Sequence, residues 1–236
     1  MTPSTEDLFA ALDATWPPAA TRRLGPFTLC DGAGGGKRVS ATRLEGAFDI
    51  PALDRAESAM RAPFLFQART GQEALDTELA ARGYALLDPT VLYAAPVDLI
   101  AAPPRPVSLL GAWPPLAIQR QLWLDGHIGP ERLAVMERAC GPKQSFIARF
   151  QNRAAGVGFV AIHQGIALLH ALQVEPAFRR QGVARYMVRG MADWARENGA
   201  HTFTLAVTRA NATSRALYTD LGMVEVGRYH YREKQP

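Results

Sequence analysis

The stretch LHALQVEPAFRRQGVA, residues 169–184, constrains this 236-residue chain more than any other. The apolar run from Ile166 to Val174 predicts a strand, and Pro176 breaks it. Gly182 then opens a helix in which Val183, Met187, Met191 and Trp194 share one face, closing at Asn198-Gly199. A strand running through a short turn into a glycine-started helix leaves the first helical N–H groups unpaired, at the positive end of the helix dipole. An anion placed there meets several donors at once. Gly182 allows close approach of backbone, and Arg179 and Arg180 can add charge-assisted hydrogen bonds to phosphate oxygens. Taken singly, each part has a plainer meaning: a tight turn for the glycine, a solvated face for the arginines. A dinucleotide G-x-G-x-x-G is absent from the stretch, and a Walker pattern fails at Lys37, which Arg38 follows.

Around this centre the elements fall into two halves. Proline density from Ala94 to Pro106 and at Trp113-Pro114-Pro115 predicts a linker, with a boundary near residue 103 separating domains 1–103 and 104–236. The first half predicts strands Pro26–Asp31 and Lys37–Leu44 joined by a glycine-rich turn. A helix Ala52–Met60, a strand Pro63–Ala68, a helix Gln72–Ala81 and a strand from Tyr84 to Tyr93 follow. The second half predicts helices Leu116–Leu124 and Pro130–Cys140, then strands Ser145–Gln151, Gly156–His163 and Ile166–Val174. After the glycine-started helix come strand Thr202–Val207, helix Ala212–Leu221 and strand Met223–Arg232.

Setting Gly83 on Gly222 aligns ELAARGYALL with LYTDLGMVEV, and Phe64-Leu65-Phe66 with Phe203-Thr204-Leu205. That echo reads either as a duplicated unit with one shortened copy or as coincidental α/β patterning.

Charge narrows the ligand class. Residues 1–104 carry 9 Lys and Arg against 13 Asp and Glu, whereas residues 105–236 carry 17 against 9, so the basic excess sits with the glycine-started helix. The basic residues are scattered over helices and not interleaved with aromatics, and no helix-turn-helix, zinc-finger or RNP-like string occurs, which argues against nucleic acid. A small phosphorylated ligand fits better. Two cysteines, Cys30 and Cys140, form neither a disulfide framework nor a metal spacing. No signal-like start or membrane-length apolar stretch is present, so the expectation is a soluble, cytoplasmic protein with no membrane partner and no metal.

Together, Arg179-x-x-Gly182-x-Ala184 after a strand, and NATSRALYTDLGM (Asn211 to Met223) further on, resemble the GCN5-related N-acetyltransferase superfamily over roughly residues 107–232. The resemblance implies an α/β fold of the α+β kind: a central mixed, mostly antiparallel sheet flanked by helices, with a smaller, truncated copy of the same domain before it. It implies acetyl-CoA as cosubstrate, held by backbone groups of Gln173 and Val174 along the pantetheine arm. The pyrophosphate would lie on the loop Arg179, Arg180, Gln181, Gly182, Val183 and Ala184, and Asn211 would touch the cofactor. Tyr218 would face the sulfur and protonate the leaving thiolate after direct attack by an amine; the alternative for Tyr218 is plain packing of its helix. Closing the loop on Ala184 departs from the commoner glycine.

For a general base the candidates are His170 and Glu175, each equally readable as a core histidine and a surface carboxylate. The first half lacks the loop and carries Leu79 where the tyrosine would stand, which predicts packing, a substrate lid or a homodimer contact for it. Two functions are open: an N-acetyltransferase acting on a small or protein amine, and a non-catalytic acyl-CoA binding or interaction protein.

Overall fold

The computed structural model describes residues 3–235. The elements run α1 (Thr5–Thr15), β1 (Ala20–Leu24), β2 (Phe27–Asp31), α2 (Lys37–Ser40), β3 (Thr42–Leu44), α3 (Ile50–Ala59), β4 (Phe64–Arg69), α4 (Glu73–Ala81), β5 (Ala85–Pro96) and α5 (Val97–Ile100). The second half continues with β6 (Leu109–Ala112), α6 (Ala117–Asp125), α7 (Pro130–Arg138), β7 (Lys143–Phe150), β8 (Arg153–His163), β9 (Ile166–Val174), α8 (Val183–Glu197), β10 (Thr202–Thr208), α9 (Ala212–Asp220) and β11 (Val224–Lys234).

All eleven strands form one sheet in the order β1-β2-β3-β4-β11-β5-β10-β9-β8-β7-β6. The ladders are antiparallel except β3 on β4 and β9 on β10. The closing strands of the two halves are exchanged: β5 pairs with β10, and β11 pairs with β4 as well as β5. One face of the sheet carries α5, α8 and α9 over the larger core, with α3 and α4 over a smaller one; α1, α2, α6 and α7 cover the other face.

The predicted helix α8 buries Val183, Met187, Val188, Met191 and Ala192. It lies close on the sheet because β8 offers glycines there. A Cβ on Gly156 would meet the Met187 sulfur at 3.0 Å, and one on Gly158 the Met191 sulfur at 2.9 Å. The repeat read from Gly83 and Gly222 has a geometric counterpart. Both glycines are left-handed, with φ of +82° and +85°, and the next residue donates its N–H back over the helix end, Tyr84 to Leu79 and Met223 to Tyr218, each at 3.0 Å.

Two expectations need correction, and one element was not anticipated. Lys37–Ser40 is a helical turn, and only Thr42–Leu44 is strand. The glycine-rich run before it exists for packing, since a Cβ on Gly35 would stand 2.6 Å from a Val135 methyl of α7. The proline-dense segment is ordered at its start: β5 runs on through Pro96, whose missing N–H lies at the strand's end, and α5 follows at once. Residues 5–15, read from sequence only as lacking a signal pattern, form α1, begun by a capping box between Ser4 and Asp7 and burying Leu8, Phe9 and Leu12. Among the described residues no helix is long and apolar enough to cross a membrane.

Candidate active site

The parallel pairing of β9 with β10 ends at Leu169 opposite Leu205, although β9 continues to Val174 and β10 to Thr208. Past that rung the two strands part. The divergence is built by a bulge: the β8 register slips between Val157 and Phe159, and Ala171 stands at φ +50°. Fully buried Trp123 of α6 donates its indole N–H to the Ala171 carbonyl at 2.8 Å and holds the bulge from the α6 side. Glu175 donates its N–H to the Ala155 carbonyl at 2.9 Å. The two-residue alternation therefore turns the backbone groups of Gln173 toward β8 and those of Leu172 and Val174 toward the gap.

At the mouth of the gap, Pro176–Phe178 make one tight turn and Arg179–Gly182 lie exposed. Arg180 at φ +62° and Gly182 at φ +81° are both left-handed, two residues apart in the loop. Among the described residues the N–H groups of Arg180, Gln181 and Gly182 donate to nothing, and α8 starts without a side-chain cap. Two side chains brace the loop from behind, Arg179 donating to the Val174 carbonyl at 3.0 Å and Gln181 to the Ala177 carbonyl at 2.9 Å. Val183 is buried and anchors the helix start, while Ala184 is half-buried. Space around a Cβ on Gly182 is open for 4 Å.

Asn211 is exposed and caps α9, its side-chain oxygen accepting from the Ser214 N–H at 3.1 Å. Tyr218, one α-helical turn after Ser214, is 6% exposed and belongs to the same core cluster as Leu169 and Leu205, where the strands part. Its ring lies 6.0 Å from that of Tyr93 on the exchanged strand β5. Burial pushes the phenol up to about 12, with Ser214 pulling slightly the other way, so it is a protonated donor at neutral pH.

His170 follows Leu169 and faces the opposite side of the sheet. Its Nε2 is 2.9 Å from the Thr15 hydroxyl, whose own proton goes to the Ala11 carbonyl at 2.7 Å, so Nε2 carries the hydrogen. Nδ1 accepts from Arg38 Nη1 at 3.4 Å, and the Trp16 ring stacks 4.8 Å away. Burial, and then the Arg38 charge, hold this imidazole well below its usual pKa. Both nitrogens are engaged, so His170 is a neutral positioning group and not a free base. Glu175 is half-buried, and its backbone is spent on β8. Among the described residues no group of His, Cys, Asp and Glu is arranged to hold a metal ion. Sequence reasoning missed Trp123 and Arg38; an arginine beside Lys37 in a glycine-rich stretch carries no signal that it turns inward.

Residues 115–223 match the family model described as "Acetyltransferase (GNAT) family". An uncharacterised N-acetyltransferase of Bacillus subtilis, YobR, is 27% identical over 123 residues, 48% of this chain and 50% of that protein, so the chain spans about half the length of this curated relative. Among solved structures, a GCN5-related N-acetyltransferase from Kribbella flavida superposes with a TM-score of 0.72 at 16% identity, covering 98% of this chain and 95% of that one. A tandem GNAT protein from the clavulanic acid biosynthesis pathway superposes with a TM-score of 0.62 at 14% identity, covering 93% and 85%. The parted strands, the uncapped helix start and the buried tyrosine all lie within residues 115–223, the segment that matches the acetyltransferase (GNAT) family model.

Proposed function

We propose that the chain transfers an acetyl group from acetyl-CoA to an amine. The observation that carries this reading is the joint geometry of the β9–β10 gap and the loop at its mouth: backbone groups of Leu172 and the N–H of Val174 turned toward the gap along one wall, and unspent N–H groups from Arg180 to Gly182 at the uncapped start of α8. An extended amide arm would bond like an added strand, and a pyrophosphate would sit on the helix N-terminus. Arg179, Arg180 and Asn211 would border the nucleotide end.

The thioester would then lie where Leu169 and Leu205 part, with Tyr218 on the α8–α9 side. The neutral amine adds to the thioester carbonyl, the tetrahedral oxyanion collapses, the C–S bond breaks, and the thiolate takes the Tyr218 proton. The amine's proton leaves to solvent, and Tyr218 is reprotonated from water.

The first half reads as a degenerate copy of the same unit, with a domain boundary in the segment after β5. At the place that Gly182 holds before α8, α3 carries Asp49, whose carboxylate accepts from the Ala52 N–H at 2.7 Å. A built-in anion already satisfies that helix start and repels another. Two unpaired cysteines, Cys30 and Cys140, suit a reducing, cytoplasmic setting.

The test is release of free thiol from acetyl-CoA across a panel of amines, alongside calorimetric binding of acetyl-CoA. Binding with no thiol release toward any amine or peptide favours the acyl-CoA binding protein, a reading in which Tyr218 only packs against Tyr93.

A further inference from the structure

On the α1 side of the sheet, directly beside the point where β9 and β10 part, stands a cation with no counter-charge. Arg38 of α2 is half-buried and, among the described residues, pairs with no carboxylate. Its Nε donates to the Tyr229 hydroxyl at 3.2 Å and its Nη1 to His170 Nδ1 at 3.4 Å, the Tyr231 phenol also lies against the guanidinium, and Nη2 makes no hydrogen bond of its own among the described residues. Phenol and neutral imidazole orient a guanidinium without neutralising it. Elsewhere on this face the arrangement is different: Arg43 and Arg69 both reach Asp13 at 2.7 Å. The Arg38 fork therefore keeps one edge free in a partly desolvated place, where an anion gains most and an empty site costs most.

Position gives the anion its role. At the level of Leu169 and Leu205 the α8–α9 side is filled by the core that contains Tyr218, and on the α1 side Arg38 reaches His170, the residue next to Leu169. A cleft of about 290 Å³ beside α4, on which Arg209 and Arg228 are exposed, includes Tyr229 in its lining but not Arg38. Glu73 and Asp76 line the cleft too, Asp76 being engaged by His230 and Arg232.

We propose that Arg38 selects the acceptor: the amine accepted here carries an anionic group, a carboxylate or a phosphate, that docks on the free edge of the Arg38 guanidinium held by Tyr229 and His170. This rests on the reading of the β9–β10 gap as the thioester site. Arg38 comes from the half that lacks the cofactor loop, so that half supplies the specificity of the other.

The experiment compares matched amines that differ only in the anion: alanine with ethylamine, phenylalanine with 2-phenylethylamine, 2-aminoethyl phosphate with ethanolamine. The full chain should prefer one or more anionic members by about 10- to 100-fold in kcat/KM, the range expected for a charge-assisted pair. The preference should vanish in Arg38→Met, survive weakened in Arg38→Lys, and leave acetyl-CoA affinity unchanged in both. The phosphate arm tells the two anions apart. A second readout needs no turnover: the preferred anionic amine should raise the melting temperature of the parent and not of Arg38→Met. Unligated Arg38→Met should melt no lower than the parent, because an unpaired charge has been removed from a partly buried place. Equal rates across all pairs in an active parent overturn the proposal, as does a preference that persists in Arg38→Met. Should acetyl-CoA fail to bind while the anionic amine still stabilises only the parent, the transfer reading falls and the Arg38 site stands. Absence of both effects removes both.

Discussion

The Trp123 indole N–H and the Ala171 carbonyl meet at 2.8 Å across 48 positions of sequence, and the bond ties α6 to the residue at which β9 bends away from its neighbour. Trp123→Phe keeps most of the buried ring but leaves that carbonyl without a donor, at a cost of about 1–3 kcal/mol. The expected result is a lower melting temperature together with weaker acetyl-CoA binding, because the bulge at φ +50° loses its support. A variant that melts lower yet binds as tightly as the parent would separate the bulge from the cofactor.

Gly182 tests the loop. Gly182→Ala meets no atom within 4 Å, so its cost in the free protein is confined to the left-handed φ of +81°, about 1 kcal/mol. Larger side chains there add crowding only when a pyrophosphate is present. Calorimetry should show affinity falling from Gly182→Ala to Gly182→Leu while the two variants melt alike. Parent-like affinity in both would move the phosphate site elsewhere.

For Tyr218 the prediction joins rate and pH. Tyr218→Phe retains the packing against Tyr93 and should retain acetyl-CoA affinity, while kcat falls about 10²- to 10⁴-fold as for other positioned acids. Because burial lifts this phenol to about 12, the parent's rate should climb with deprotonation of the amine and show no alkaline decline from this group up to about pH 11. A fall near pH 10 that disappears in Tyr218→Phe would contradict the burial.

His170 predicts a stability profile. Its folded pKa lies below the unfolded 6.5, so the unfolded chain binds the extra proton first. Its contribution is complete above pH 6.5 and is lost as pH falls from there toward the folded value, at up to about 1.4 kcal/mol per pH unit. Melting curves should drop on acidification below 6.5, and His170→Gln, which keeps a neutral polar group beside Thr15, should flatten that part of the profile. An unchanged slope would assign the acid sensitivity to other groups.

Stoichiometry tests the first half. With Asp49 capping α3 where α8 has Gly182, titration with acetyl-CoA should give one site per chain. Two sites would contradict the degenerate copy.

What sequence could tell followed from locality. Helix α8, its closing glycine and the flanking strands announce themselves through 3.6-residue periodicity and turn chemistry, which act within a few residues. The α2 turn did not, because four residues are too few for a period and the glycines before it answer to Val135, a hundred positions away. Trp123 and Arg38 read as ordinary helix and surface residues; only the fold brings them to Ala171 and His170. The exchange of β5 and β11 was equally invisible, since each strand has the pattern of a buried strand whichever half it joins.

That exchange has a consequence for how the chain is made. Strand β11 stands in the interior of the sheet between β4 and β5, yet every other strand precedes it in the sequence. Roughly 130 residues separate Pro96 from Val224, on the order of ten seconds of translation, during which β4 and β5 wait with open edges. The seam of the sheet is sealed by its latest strand, so a nascent chain is exposed at its centre rather than at its rim. The interval in which this central edge stays unpaired runs from the emergence of Tyr93 to that of Tyr229 on the neighbouring strand.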